Sequence, residues 1–309
     1  MEKLDLNFTE MRHTFKKQIF FFGLLNLRVL GLNGKWEWEL QKYWQKGTRK
    51  QMMTEAEKET YMLRATLPGF KRKVSRSLEI IREALAIEGI KWSASVSFGK
   101  DSLVMLDLLS QVMDEIPVYF MDSDYKLPEI YETIELSQER YKINISRAYF
   151  ADRRPIQEVW EKFGIPGINR TTNMQNKALK VLKKDVSDKW AKEHGYNGIF
   201  WGIRKQESAQ RKWMVTSFGV TFENKQGFYR CAPIAYWDAK DVWAYIVSRN
   251  LDYPKLYDYQ KYQTRDWIRN TGWATTDGAE RGRIIWLREF YPNYYDELRW
   301  MLPKIDAYV

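Results

Sequence analysis

Residues 92–109, WSASVSFGKDSLVMLDLL, decide the fold. Trp92-Ser93-Ala94-Ser95-Val96 alternates apolar and small polar residues, as a buried strand does. The chain then turns through Ser97-Phe98-Gly99-Lys100-Asp101-Ser102, and Leu103, Leu106 and Leu109 recur at helical spacing together with Val104, Met105 and Leu108. A strand, a short polar turn and a helix in this order make a site for phosphate. The first backbone N–H groups of the helix lack intrahelical partners, and the helix dipole favours an anion there. Gly99 lets the backbone come close, Ser97 and Ser102 offer hydroxyls, and Lys100 offers a mobile positive charge in a polar turn. The spacing is not that of a Walker A loop: Asp101 separates Lys100 from Ser102, and no Gly stands at the required upstream position.

The flanking segments extend this into an alternating α/β pattern. Helices are predicted over 68–88, with Val74, Leu78, Ile81 and Leu85 on one face, and from Leu127-Pro128-Glu129 through Tyr141. Strands are predicted over 117–122, ending in Asp122, and over 143–150. A Lys-rich helix is predicted over 173–194. A fourth strand, 198–202, runs into Ile203-Arg204-Lys205-Gln206-Glu207-Ser208-Ala209-Gln210-Arg211. If this segment turns helically after Gly202, Arg204, Glu207 and Arg211 share one face. Glu207 then holds an Arg fork suited to phosphate or sulfate, at the sheet edge where the turn at 97–102 lies. A surface ion pair explains the same spacing. Asp238 reads as the N-cap of a helix through Asn250. Strands alternating with helices imply a parallel sheet.

Composition bounds the function. The chain has 309 residues, enough for one large α/β domain or a core with appended segments, and 44% hydrophobic with 29% charged residues suits a soluble globular protein. Its formal charge of +10 suits polyanionic partners such as nucleotides or nucleic acid. One cysteine, Cys231, excludes an intrachain disulfide, a Cys₄ metal site and a dithiol pair within the chain. Its apolar setting, YRCAPIAY, reads as that of a buried small hydrophobe. His13 and His194 cannot make a His-rich metal site, and His194 is expected near a helix C-terminus. The apolar run at 19–32 is broken by Asn26 and Arg28. It is too short for a membrane span and too far in for a secretory signal, so a cytoplasmic protein without a membrane partner is expected.

The reading divides the chain into a basic, aromatic N-terminal extension over 1–66, a nucleotide-binding core over 67–260 and a C-terminal extension over 261–309. In the first, Trp36, Trp38, Tyr43 and Trp44 alternate with Lys35, Lys42 and Lys46, a pattern that serves nucleic-acid binding or ordinary packing. In the last, residues 271–283 form a predicted loop before a helix.

The hexapeptide SFGKDS resembles the Ser-Gly-Gly-x-Asp-Ser pyrophosphate loop (PP-loop) of the adenine-nucleotide alpha hydrolase superfamily, with Phe98 in place of the first Gly. Three segments in order resemble the phosphoadenosine-phosphosulfate (PAPS) reductase family: SFGKDS at 97–102, GIRKQESAQR at 202–211, and PIAYWDAKDVWAYI at 233–246 followed by YPKLYD at 253–258. FMDSDYKLPEIYE at 120–132 resembles a fourth segment less closely.

The resemblance implies a Rossmann-like parallel sheet with helices on both faces, plus helical N- and C-terminal extensions. It implies that Ser97, Phe98, Gly99, Lys100, Asp101 and Ser102 surround the phosphates of ATP, PAPS or adenosine phosphosulfate (APS), and that Arg204, Glu207 and Arg211 complete the anion site. Asp122 is implied beside the ribose or Mg²⁺, with Asp101 as the other Mg²⁺ carboxylate, and Lys100, Asp101, Arg204 and Arg211 form the implied catalytic set. Reductases of this family use a C-terminal cysteine, and several relatives carry an iron–sulfur cluster. The tail of this chain has no cysteine, so no cluster is expected.

ATP pyrophosphatases of the superfamily need no thiol. They include the ATP-pyrophosphatase component of DNA phosphorothioation systems, so the resemblance extends to an adenylating enzyme of sulfur transfer to nucleic acid. Its implied partners are an adenine nucleotide, nucleic acid, a sulfur-donor protein of the cysteine-desulfurase or thioredoxin-like type, and a second copy in a homo-oligomer. The alternatives are a PAPS- or APS-binding member served by an external thiol and a nucleotide-binding module without turnover.

Overall fold

The computed structural model describes residues 52–122, 126–148, 162–163, 172–180, 185–224, 227–261, 263–270, 282–301 and 303–308. All lie in the second of two compact units, Arg49–Val309. The aromatic run at 35–46, the apolar stretch at 19–32 and most of the loop at 271–283 fall outside the described residues.

Six strands form one sheet: β1 (Trp92–Ser95), β2 (Ile116–Met121), β3 (Ile143–Ala148), β4 (Gly198–Trp201), β5 (Thr221–Glu223) and β6 (Tyr229–Cys231). The described helices are α1 (Glu55–Thr66), α2 (Pro68–Leu85), α3 (Lys100–Ser110), α4 (Pro128–Arg140), α5 (Thr172–Leu179), α6 (Asp185–Glu193), α7 (Ala209–Phe218), α8 (Ala239–Ser248), α9 (Arg283–Phe290) and α10 (Pro292–Met301). The strand order is β3-β2-β1-β4-β6-β5. All pairs are parallel except β5 with β6.

This order places the site. The chain moves outward from β1 through β2 to β3, then returns to the other side of β1 as β4. The direction of travel reverses between β1 and β4, and such a reversal opens a crevice beyond the C-terminal strand ends. The strand centres hold it rigid. Ala94 pairs with Val118 on one side and Phe200 on the other, and Phe200 pairs with Cys231. All four are fully buried. Trp92 stacks on Phe200 with ring centroids 4.6 Å apart.

α3 is apolar on most of its circumference and accordingly buried. Beyond its first turn the buried exception is Asp107, 1% exposed. Its Oδ1 accepts the Tyr141 hydroxyl at 2.9 Å, and its Oδ2 accepts the Tyr245 hydroxyl at 2.7 Å and Arg249 Nε at 3.0 Å. One buried carboxylate thus ties α3 to α8 and to the end of α4.

At the N-terminal side, Arg64 of α1 donates to Asp238 at 2.6 Å and Asp241 at 2.8 Å, and Lys73 of α2 also pairs with Asp241. Asp238 caps α8 as its position predicts, accepting the Asp241 N–H at 2.8 Å. Arg265, 3% exposed, bridges Glu57 of α1 at 2.9 Å and Asp258 at 3.2 Å. The buried Glu129 carboxyl accepts the hydroxyls of Tyr259 and Tyr291, and burial pushes its pKa up.

Two elements differ from the sequence reading. β5 is a short antiparallel edge strand that the alternation did not predict; Gly219, at φ 81, turns the chain out of α7 toward it. Within the predicted Lys-rich helix, the described residues form α5 and α6, and 181–184 lie outside the description. His194 does sit just past a helix end, with Nδ1 2.9 Å from Trp190 O. Among the described residues no helix is long and apolar enough to cross a membrane.

Asp107→Ala leaves the buried Tyr245 hydroxyl and the partly buried Tyr141 hydroxyl without their acceptor. Its unfolding free energy is expected to fall by roughly 3 kcal/mol in urea denaturation. A loss below about 0.5 kcal/mol would show that water replaces the carboxylate.

Candidate nucleotide-phosphate site

Residues 96–99 carry the chain from β1 into α3, and Gly99 is the N-cap, with no side chain over the first turn. Phe98 stands at φ 53, in the left-handed region that suits glycine, the residue of the PP-loop pattern at this position. Its ring is fully buried and meets Phe120 edge-on at 5.5 Å. The atoms that glycine lacks are therefore directed into the core. Ser97 Oγ lies 3.3 Å from Ser102 Oγ, and Ser102 donates to Gly99 O at 3.0 Å. Two residues from the C-terminal side brace the turn. Asn270 Nδ2 donates to Ser97 O at 2.9 Å, and the Lys100 N–H donates to the Tyr257 hydroxyl at 3.2 Å.

Lys100 is not the mobile surface cation that a polar turn suggests. It is 1% exposed, with Nζ 3.1 Å from Asp101 Oδ2 and 5.3 Å from the centre of the Tyr257 ring. The other oxygen of Asp101 accepts Arg204 Nε. Burial pushes the Asp101 carboxyl up, but the charges of Lys100 and Arg204 outweigh it and bring the pKa to about 2.

Arg204 reaches the turn from the neighbouring strand. It follows β4, is 5% exposed, and forms no side-chain hydrogen bond through Nη1 or Nη2 among the described residues. Its N–H donates to Glu207 Oε2 at 2.7 Å. Glu207 also pairs with Arg211, and with Arg269 at 3.3 Å.

The three residues at 204, 207 and 211 therefore meet, but not on one helix face. Arg204 and Ser208 are extended, so a 3₁₀ turn at Lys205–Glu207 is followed by a separate helix, α7, whose first turn Ser208 caps through the Arg211 N–H at 3.2 Å. Glu207 holds Arg211, while the Arg204 side chain goes to Asp101. Lys100, Arg204, Arg211 and Arg269 face two carboxylates, Asp101 and Glu207, so the cluster keeps an excess of positive charge.

Asp122 follows β2, is 3% exposed and accepts the Tyr131 hydroxyl at 2.9 Å. Among the described residues no three His, Cys, Asp or Glu side chains gather as a metal cluster. Asp101 turns both oxygens toward cations and does not fit Mg²⁺. A divalent ion fits here as one carried by a nucleotide's own phosphates.

Residues 91–266, more than half of the chain, match the phosphoadenosine phosphosulfate reductase domain. The chain belongs to that family. Among its relatives, a phosphoadenosine 5'-phosphosulfate reductase of Synechococcus sp. is 28% identical over 65% of this chain and 88% of its own length. An adenosine 5'-phosphosulfate reductase of Shouchella clausii is 29% identical over 61% of this chain and 74% of its own. Among solved structures, the phosphoadenylyl-sulfate reductase of Candida auris in a phosphate complex is 19% identical, with a TM-score of 0.48 over 69% of this chain and 96% of the other.

The family's motif positions in this chain include residues that a reading of charge passes over. A Cβ on Gly202 would lie 2.7 Å from Ser102 Cα and 2.8 Å from Asp101 O, so only glycine lets the end of β4 lie against the turn at 97–102. A Cβ on Gly99 would come within 2.9 Å of the Tyr257 hydroxyl. Gly202 and Tyr257 both sit inside the segments GIRKQESAQR and YPKLYD, where their position was a usable signal. Nothing in the neighbourhood of Asn270 marks it in the sequence.

Gly202→Ala must push the turn away, and a displacement of this kind is expected to weaken ATP binding by about tenfold or more in calorimetry, with the far-UV spectrum unchanged. Unchanged affinity would mean that the turn moves without consequence. A second expectation concerns pH. The Asp101 pKa lies below its unfolded value of roughly 3.9, so the stability it contributes is complete above that value and is lost as pH falls toward about 2. Carboxyl NMR should place its midpoint near the lower figure, and Arg204→Gln should raise it; an unshifted midpoint would remove the pair.

Proposed function

We propose that this chain binds an adenine nucleotide by its phosphates and cleaves ATP between the α and β phosphates, transferring the adenylyl group to an acceptor in sulfur transfer. The acceptor class in this reading is nucleic acid. The observation that carries it is the pairing of Lys100 and Arg204 through Asp101. Both cations are nearly excluded from water, and both retain donors that no described residue uses. Preorganised donors of this kind serve charge that develops during reaction and need no reorganisation when it appears.

In the proposed reaction an acceptor oxygen attacks the α-phosphorus. The bond from that phosphorus to the bridging oxygen breaks, and pyrophosphate leaves with the electron pair. Ser97, Ser102 and the free N–H groups of the first turn of α3 bind the phosphates. Lys100 and Arg204 stabilise the departing charge, while Glu207 holds Arg211 at the rim. Mg²⁺ supplies charge neutralisation on the phosphates when the nucleotide brings it.

Cys231 supports a mechanism without a thiol of this chain. It is fully buried in β6, accepts the Thr221 hydroxyl at 3.3 Å, and burial pushes its thiol up to about 12. A thiol that remains protonated at neutral pH is a poor nucleophile.

The relatives favour a second reading. In it the same site holds PAPS or APS, an external thiolate from a thioredoxin-like protein attacks the sulfonate sulfur, and the nucleotide phosphate leaves.

Pyrophosphate release from Mg²⁺-ATP, measured with and without DNA, tests the first reading. Turnover is expected. Lys100→Ala should weaken ATP binding by roughly 10- to 100-fold, the worth of a charged hydrogen bond, and Cys231→Ser should keep most of the activity. Sulfite release from PAPS or APS with added thiol, and no pyrophosphate from ATP, would establish the second reading instead. Nucleotide binding with neither product would leave a binding module.

A further inference from the structure

Beyond Arg204 the fold leaves large rings uncovered. α7 buries one side chain, Val215, along its whole length. Trp213 is 61% exposed and Phe218 50% exposed. These rings form a contiguous row: Trp213 meets Phe218 edge to face at 5.4 Å, and Phe218 stacks on Phe222 of β5 at 5.4 Å. Adjoining exposed rings mark an interaction surface rather than a packing face. The charge along this segment is mostly basic, with Glu223 exposed at the far end of β5. Lys212 is exposed next to Trp213, and Lys205 lies 4.6 Å over the ring of Tyr236, itself half exposed. From 204 through the end of β5 at 223 the chain carries four Lys or Arg and two acids, Glu207 and Glu223.

We propose that this face binds single-stranded nucleic acid, which the strip leads toward Arg204 and the phosphate turn. That the bound strand is the acceptor rests on the adenylation reading above; that the face binds a strand does not. Two facts select this occupant. Every unpaired base has a flat π-face that stacks on an exposed ring, while basic side chains track the phosphates. A duplex keeps its bases stacked and offers only groove edges, which these rings cannot use. A second copy of the chain would set one basic face against another, at a cost in like-charge repulsion. β5, three residues long, is too short an edge to compensate through strand pairing.

The test is fluorescence anisotropy of the full chain with a labelled oligothymidylate of about 20 nucleotides, single-stranded and as a duplex, over a range of salt. The single strand is expected to bind more tightly than the duplex. Trp213→Ala with Phe218→Ala should weaken it by about tenfold or more, because each stacked base is worth roughly 1–3 kcal/mol. Trp213→Phe with Phe218→Tyr, which keeps the rings, should restore most of the affinity. Lys212→Ala should lower the salt slope by about one.

The alanine pair should leave ATP affinity unchanged, so a failure of the phosphate site is distinguishable from a failure of this face. Oligonucleotide binding without pyrophosphate release would support the face and sink the adenylation reading. Absence of binding at low salt, equal binding of strand and duplex, or an affinity that ignores the ring substitutions would each overturn the proposal. A dimer in sedimentation that the alanine pair dissociates, without oligonucleotide binding, would assign the face to a second copy and overturn it as well.

Discussion

Asp101 holds two strands' worth of cations in one place, and the crevice depends on it. Lys100 comes with the turn after β1, and Arg204 comes from the end of β4, about a hundred residues later in the chain. Neither could remain nearly buried without a counter-charge, because an unpaired ion in so dry a place costs several kcal/mol. One carboxylate serves both, so the constellation is compensated but not neutralised. The remaining positive charge is what an anion would meet on entry. Gly202 makes the arrangement possible by removing the one side-chain atom that would hold the two segments apart.

Much of this was legible in the sequence, and for definite reasons. The strand-turn-helix at 92–109 is marked by a change of apolar period at the polar turn, and the observed β1 and α3 fall there. The N-cap at Asp238 is a local hydrogen bond, so local sequence announces it. The faces at 204–211 were less legible, because spacing alone assumes an unbroken helix. Ser208 prefers to cap the next helix, and this breaks the register between Arg204 and Arg211. A polar turn is usually exposed, so the sequence suggests a mobile Lys100. Its burial comes from Tyr257 and Asp101, and the first of these is distant in sequence. Asn270 contributes one side-chain amide to one carbonyl, a contact with no periodicity behind it.

The chain belongs to a reductase family while carrying a single cysteine, and that one is buried. Cys231 lies within the sheet, paired in register with Phe200, where its sulfur fills space and accepts a hydroxyl. An adenosine 5'-phosphosulfate reductase among the chain's relatives is 29% identical to it. Kinship at that level carries the fold more surely than the chemistry.

Phe98 has a consequence for motion. A glycine at that position would let the turn flex by itself. The ring instead anchors it to Phe120 inside the sheet layer, and the Lys100 amide is held by Tyr257. Elements fastened to the core open with the whole fold rather than by local fraying. Hydrogen exchange at the Lys100 amide, which donates to the Tyr257 hydroxyl, is therefore slow and follows opening of the core rather than of the turn alone.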